Sequence, residues 1–363
     1  MEKLYYLVNW GNDKQKAWSG TCWGLFNTLK KHCDSIKDID LSDSRWDSLC
    51  LRLIRRIRHS GGDLELSHIK RSRRNVQRLL GNSKCTVFQF AEIIPDSESI
   101  KTYIYQDLSV DYVRYMSENL PEVFAVSNFH DCGKNAIMAR NDSQLEYYRN
   151  CSGIFTMGKW LARDLVDRCG IPECKVYPVG GGINLDGKLV DYTGKQGNKI
   201  LLVGRDFIRK GGEITFKSFI ELRKKMADAE LYVAGPASNP YPQGAEGYHY
   251  MGDCSHEELS ALFNKCDVFV MPSYFEAYGL VFIEALTYGL PCIGRNVYEM
   301  PYFIEDGNTG LLLQKDDVHE LADMMFRLLK DKSFSDNVRS RKDWYIREYS
   351  WDTVAKRILA AMK

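Results

Sequence analysis

The second half of the chain alternates short, nearly uninterrupted apolar runs with segments of helical periodicity, and that alternation leaves few folds open. Residues 200–204, 231–235, 267–272, 291–294 and 310–313 read as strands buried on both faces, as in a parallel sheet with crossover helices. Helix starts are legible between them. Ser255 to Glu258 and Asp317 to Glu320 have capping-box spacing, and Gly289 with Pro291 closes a helix that begins near Gly279. The first half is less regular, with candidate strands at 4–8, 86–90, 102–105, 124–126, 154–156 and 176–178. Glycines 180–182 and the polar stretch 186–198 cannot sustain a core, so two α/β units are expected, 1–188 and 189–345, with 346–363 as a final segment.

A chain of 363 residues suits two ordinary domains, and 44% hydrophobic against 27% charged residues allows a core without disulfides or metals. With 49 basic and 48 acidic residues there is no global field to recruit nucleic acid, so any polyanion site must be local and no nucleic-acid partner is expected. Eleven cysteines without a C-x-x-C read as reduced core thiols of a cytoplasmic protein. The apolar run 4–8 is too short for a signal sequence, and no run reaches membrane-spanning length. Between Arg52 and Arg78 nine Lys/Arg face only Asp63 and Glu65. Such a stretch could make peripheral contact with an anionic membrane, although the scarcity of bulky apolar anchors favours a solvated helix face. Asp38-Ile-Asp40 has no third acid or histidine nearby, and the seven histidines lack zinc spacing, so no metal is expected.

Two segments carry chemistry. Gly204-Arg205 through Lys210-Gly211 follows a buried strand and enters a helix, so its cations lie at the carboxyl end of the sheet, where open α/β folds bind ligands. Arg205 supplies a fork and Lys210 a point charge, which with helix N-terminal amides could hold a diphosphate; taken alone, the motif reads as readily as a solvated loop with one surface cation. In the second segment a strand ends, a loop carries Glu276, and a helix starting near Gly279 encloses Glu284. A carboxylate inside an apolar helix is expensive unless something bonds it, and sugar or ribose hydroxyls are suitable donors.

Phe275-Glu276 through Glu284 to Gly289-Leu-Pro291 resembles the E-x7-E signature of retaining glycosyltransferases of family 4. Gly204-Arg205 to Lys210-Gly211 resembles that family's donor-diphosphate element, and Gly181-Gly-Ile-Asn184 and Gly252 with Ser255, Glu258 and Leu259 fall in the family's order. The resemblance covers 154–363 well and 1–153 loosely. It implies a GT-B architecture of two facing Rossmann-like, doubly wound domains. Tyr349-Ser-Trp351 would then open a C-terminal helix crossing back to the N-terminal, acceptor-binding domain.

The resemblance further implies that Arg205 and Lys210 neutralise the diphosphate of a nucleotide-sugar donor and that Glu284 holds the ribose hydroxyls. Glu276 would bond hydroxyls of the transferred sugar, and amides of Tyr278, Gly279 and Leu280 would add charge stabilisation. Gly20, in Ser19-Gly20-Thr21, stands where the family often has a double glycine near the phosphates, with an ordinary helix-capping turn as the alternative. Asp107 is nominated for contact with sugar or acceptor, and His130-Asp131 is its rival. Gly235, Pro236 and Met251 to Asp253 are candidates for the nucleobase. The expected function is retaining, metal-independent transfer of a hexose-like sugar to a glycan, lipid-linked or small-molecule acceptor, with no cofactor. The alternatives are a nucleotide-sugar epimerase or sugar phosphorylase on the same frame, or a two-domain sugar-binding protein without catalysis.

Overall fold

The computed structural model describes residues 3–42, 61–81, 83–193 and 197–363. They form two compact units, one of Met1–Gly182 with Trp351–Lys363 and one of Ile183–Ser350, where the sequence predicts limits at 188/189 and 345/346. Residues 52–60 of the basic stretch lie outside the described residues.

The N-terminal unit contains a six-stranded sheet of β1 (Lys3–Val8), β2 (Ile36–Asp40), β3 (Cys85–Gln89), β4 (Ile100–Gln106), β5 (Gly153–Thr156) and β6 (Val176–Pro178). Its order is β2-β1-β3-β4-β5-β6, parallel throughout. Among its helices are α1 (Thr21–His32), α2 (Gly61–Leu80), α3 (Pro121–Val126) and α4 (Lys134–Asn150). The C-terminal helix Trp351–Ala361 belongs to this unit and packs on α1. A Cβ at Gly182 would lie 2.5 Å from the Trp351 ring, and His32 bonds Asp352 at 2.6 Å, so a bare backbone and one polar tie seat the returning helix. On α2, Ile69, Val76 and Leu80 face a core with Val87 and Ile93. Arg73 of the same helix donates to the carbonyls of Ile93 (2.7 Å) and Glu92 (3.1 Å), so at least this cation of the basic stretch holds the fold.

The C-terminal unit repeats the design with β7 (Lys199–Val203), β8 (Glu230–Ala234), β9 (Tyr248–Gly252), β10 (Val268–Val270), β11 (Cys292–Arg295) and β12 (Gly310–Leu313). The order is β12-β11-β10-β7-β8-β9, again parallel. Its helices include α5 (Gly212–Lys225), α6 (His256–Lys265), α7 (Leu280–Thr287) and α8 (Val318–Lys330). Ile200, Leu202, Val233, Val268, Val270 and Ile293 of the strands are fully buried against Phe219 and Leu222 of α5 and Leu321 and Met325 of α8. The alternating residues Leu201, Phe269 and Cys292 are equally buried, and burial on both faces is why these strands read as unbroken apolar runs. α6 starts with the expected reciprocal capping box of Ser255 and Glu258, while Asp317 caps α8 through the amides of His319 and Glu320.

Several expectations are corrected. Residues 124–126 are not a strand but the end of α3: Pro121 at the first helical position presets the backbone, and a short apolar run carries no period of its own. β2 and β9 went unread because edge strands are half-exposed and here mix polar with apolar residues. The cysteines are not all core thiols: Cys132 and Cys174 are exposed. No helix among the described residues is long and apolar enough to cross a membrane.

Candidate active site

In a parallel sheet every carboxyl end lies on one edge, and two loops leaving that edge in the C-terminal unit are tied together. One runs from β7 to α5, the other from β10 to α7. Gly211 (φ +72°) allows their closest approach, because a Cβ there would collide with the Pro272 carbonyl oxygen. The Tyr274 amide donates to the Arg209 carbonyl at 2.9 Å, and the Arg209 guanidinium donates to the Phe275 carbonyl at 2.7 Å and to Asp206 at 3.1 Å. Arg295, ending β11, supports the second loop: it donates to the carbonyls of Ser273 and Pro272 at 3.2 Å each and to Asp316 at 2.6 Å. Its guanidinium carbon lies 4.6 Å from the Tyr274 ring centre.

This double loop brings Lys210 and Glu276 into a direct ion pair, with the Arg209 guanidinium 3.7 Å from the same carboxylate oxygen. The Lys210 stem runs across Gly204, where a Cβ would sit 2.6 Å from its Cγ. The two side chains are only 12% and 13% exposed. Burial pulls the Lys210 ammonium below its usual pKa range, and the Glu276 carboxylate opposes that pull. α7 begins beside them at Gly279, whose φ of +93° only glycine adopts readily. A Cβ there would lie 3.2 Å from the Glu276 Cγ. The Phe282 amide turns back to the Gly279 carbonyl at 2.9 Å, and the positive end of the helix dipole at Leu280 and Val281 lies next to the pair.

Glu284 lies on the buried side of α7, where its carboxylate accepts from the Asn184 amide at 3.3 Å. Burial pushes its pKa up to about 7, an effect the Asn184 bond partly offsets.

The remaining expected residues fall in different places. Arg205 does not join the pair; its side chain is 83% exposed and its guanidinium is 3.4 Å from Asp253. Gly235 closes on the first loop, its backbone too near Gly204 (2.7 Å from a Cβ) for any side chain. Met251 stands exposed on β9. The Tyr278 ring is buried against Phe303, 5.1 Å between centres, and Leu280 is half-buried. In the N-terminal unit Gly20 (φ +87°) caps α1 without a side-chain bond, and Asp107 follows β4 half-buried. His130 Nδ1 bonds the Ser127 carbonyl at 2.7 Å, and its other nitrogen is 3.4 Å from Asp131. Asp38 accepts from the Trp10 indole (2.9 Å) and Lys14 (3.3 Å), and Asp40 accepts from the Ser42 hydroxyl (2.6 Å), so both acids of that pair serve the turn after β1. Sequence reasoning missed Arg209 and Arg295. Arg209 was one more cation in a charged loop, and Arg295 ended a strand; their roles exist only once Gly211 and β11 bring them to the second loop.

The fold places this chain in a class. Two six-stranded parallel sheets with a C-terminal helix returning to the first unit constitute the GT-B fold. It is shared with sucrose-phosphate synthase from Thermosynechococcus elongatus (TM-score 0.71, 15% identity, 100% of this chain and 98% of that one). It is shared also with HepE of Anabaena in a complex with UDP and glucose (TM-score 0.64, 12% identity, 100% and 99%). Within that class, residues 192–351, which carry Lys210, Glu276 and Glu284, match the family model of the glycosyl transferases group 1. The serotype-specific mannosyltransferase WbdA of Escherichia coli is 25% identical over 240 residues, 59% of this chain and 29% of that protein. The chain spans less than half the length of the first curated relatives it matches, 46%, 29% and 36% of three of them.

Proposed function

We propose that the protein transfers a hexose-like sugar from a nucleoside-diphosphate sugar to a hydroxyl acceptor with retention of anomeric configuration. The observation that carries this reading is the buried Lys210–Glu276 pair at the carboxyl edge of β7 and β10, beside the amide end of α7. Breaking the bond between the anomeric carbon and phosphate builds negative charge on the diphosphate, so a fixed ammonium and aligned amides are most useful as that bond lengthens. In this reading Lys210 and Arg205 take the diphosphate, Glu276 the sugar hydroxyls and Glu284 the ribose. Arg205, exposed and loosely paired, is free to swing onto an incoming phosphate. The acceptor oxygen bonds the anomeric carbon as the phosphate oxygen departs, and that oxygen takes the acceptor's proton on the same face. The complex of HepE with UDP and glucose supports a donor of this kind.

The chain's own cations supply the charge, so we read donor binding as metal-independent. Asp38 and Asp40, the acid pair of metal-dependent spacing, are engaged by Trp10, Lys14 and Ser42, which supports that reading.

The test is a panel of UDP-, GDP- and ADP-sugars, read by thermal unfolding and by nucleoside-diphosphate release with and without EDTA. One nucleotide series should raise stability by about 2.7 kcal/mol at a hundred times its dissociation constant, and chelation should leave release unchanged. A protein stabilised by free sugars and by no nucleotide would overturn the reading.

A further inference from the structure

The carboxyl edge of the N-terminal sheet carries aromatic rings. The turn Lys14–Gly20 after β1 holds Trp18 and Ser19 in the left-handed region, at φ 46°, ψ 54° and φ 55°, ψ 33°. Two successive L-residues there cost roughly 1–2 kcal/mol each, a strain that persists only where the surroundings enforce it and that gathers at functional sites. What this backbone achieves is the placement of one ring. The Trp18 indole meets Phe90, just past β3, at 5.5 Å and 85°, and Tyr105, near the end of β4, at 5.8 Å and 73°. Neither neighbour stacks parallel on the indole. Tyr105 is fully buried and donates to the Gly180 carbonyl at 2.7 Å, while Trp18 and Phe90 remain partly exposed. Gln106 donates to the Phe90 carbonyl at 2.7 Å, fixing that ring's backbone, and Asp107 is the next residue.

We infer that Trp18 and Phe90 form a carbohydrate subsite of the N-terminal unit, on which a pyranose ring of the acceptor lies with its C–H face on the indole. This rests on the glycosyl-transfer reading above and names the acceptor class, a glycan or glycoside. The chemistry fits. A pyranose presents an apolar face of C–H groups and a rim of hydroxyls. An aromatic face carries the negative quadrupole that attracts such C–H groups. A core indole would need neither a left-handed backbone nor exposure. The loss of a rigid aromatic platform should weaken a sugar by roughly three- to tenfold.

The experiment uses saturation-transfer NMR with methyl α-D-mannopyranoside, methyl β-D-glucopyranoside and maltose as probes on the full chain. Trp18→Gly removes the ring at a residue whose φ glycine tolerates, so the fold is not at risk from the backbone. The wild type should saturate the ring protons of at least one probe, Trp18→Gly should lose most of that signal, and Trp18→Phe should keep it. Phe90→Leu, which leaves the turn alone, should weaken the same probe. No saturation in the wild type, or an unchanged signal in Trp18→Gly, would overturn the subsite. Thermal shifts with UDP, GDP and ADP on the same samples separate the two readings: their absence in the wild type would defeat the transfer reading, while intact shifts with failed saturation would defeat only this one.

Discussion

Loops leaving the carboxyl edge of the C-terminal sheet bring Arg209, Lys210 and Glu276 together; loops leaving the same edge of the N-terminal sheet bring Trp18 and Phe90 together beside Tyr105 of β4. The sheets have the same strand number and the same parallel sense, so architecture did not choose between charge and aromatics. The backbones differ too. The charged loops turn on Gly211 and Gly279, whereas the aromatic turn uses Trp18 and Ser19 in the left-handed region and only then Gly20. Glycine lets two loops approach and a helix end open toward a ligand, and it leaves room for side chains to do the charge work. A strained tryptophan does the opposite, fixing one large, half-buried side chain against two other rings. The difference predicts that electrostatics dominate in one unit and shape in the other.

The largest effect is expected at Lys210. Lys210→Ala should lower turnover roughly a hundred- to a thousandfold, as losing one preorganised charge does at other sites, while circular dichroism stays native. Arg205→Ala should leave stability within about 0.5 kcal/mol, because an exposed ion pair contributes little, and act through donor affinity. Equal turnover losses with no donor-affinity change in Arg205→Ala would contradict the division of labour between a buried and a mobile cation.

Glu284 gives the next effect. Its folded pKa is raised from 4.5 to about 7. Between those values the folded chain therefore holds a proton that the unfolded chain has released, so the group's contribution is present at low pH and lost as pH rises. The loss is on the order of 3 kcal/mol across the window and is complete somewhat above about pH 7. Glu284→Gln should melt above the wild type at about pH 8 and show little advantage at about pH 5; parallel profiles would refute the burial account. If ribose hydroxyls bond this carboxylate, donor binding near neutral pH should release protons, readable by calorimetry in buffers of different ionisation enthalpy.

The C-terminal unit was the more legible of the two for a physical reason. Strands buried on both faces announce themselves, and Lys210, Glu276 and Glu284 belong to short segments whose spacing survives in one dimension. Arg295 does not. It acts 22 and 23 residues from the carbonyls it holds, and nothing local to β11 marks it. Trp18 escaped for another reason: what marks it is a backbone angle and two ring contacts, while the same turn draws notice in one dimension only through Gly20, as a double-glycine position or a capping turn. The run 124–126 misled because three apolar residues cannot distinguish a strand from a helix end begun by Pro121.

Arg295 offers a moderate test of how the charged loops are held. Arg295→Met should keep the Lys210–Glu276 pair's chemistry but loosen the loop that presents Glu276, lowering kcat/KM by roughly tenfold or more through misplacement. Arg295→Lys should restore little, since one ammonium cannot reach both carbonyls and Asp316 as the fork does. A loss in thermal stability with unchanged kinetics would show Arg295 to be structural only.

The smallest effect separates strain from shape in the N-terminal unit. Ser19 sits at φ 55°, where glycine carries no steric penalty, so Ser19→Gly relieves strain in the folded chain while adding freedom to the unfolded one. The two nearly cancel, and a net gain of about 0.5 kcal/mol is expected from the balance. If the strain exists to fix Trp18, the variant should hold glycosides more weakly even as it unfolds slightly later, because a turn with more conformations presents the indole in fewer productive poses. Donor binding in the C-terminal unit should not move. Tighter glycoside binding in Ser19→Gly would mean that the left-handed backbone hinders the ring rather than aiming it, and the contrast between a charged edge and a shaped edge would then rest on Phe90 alone.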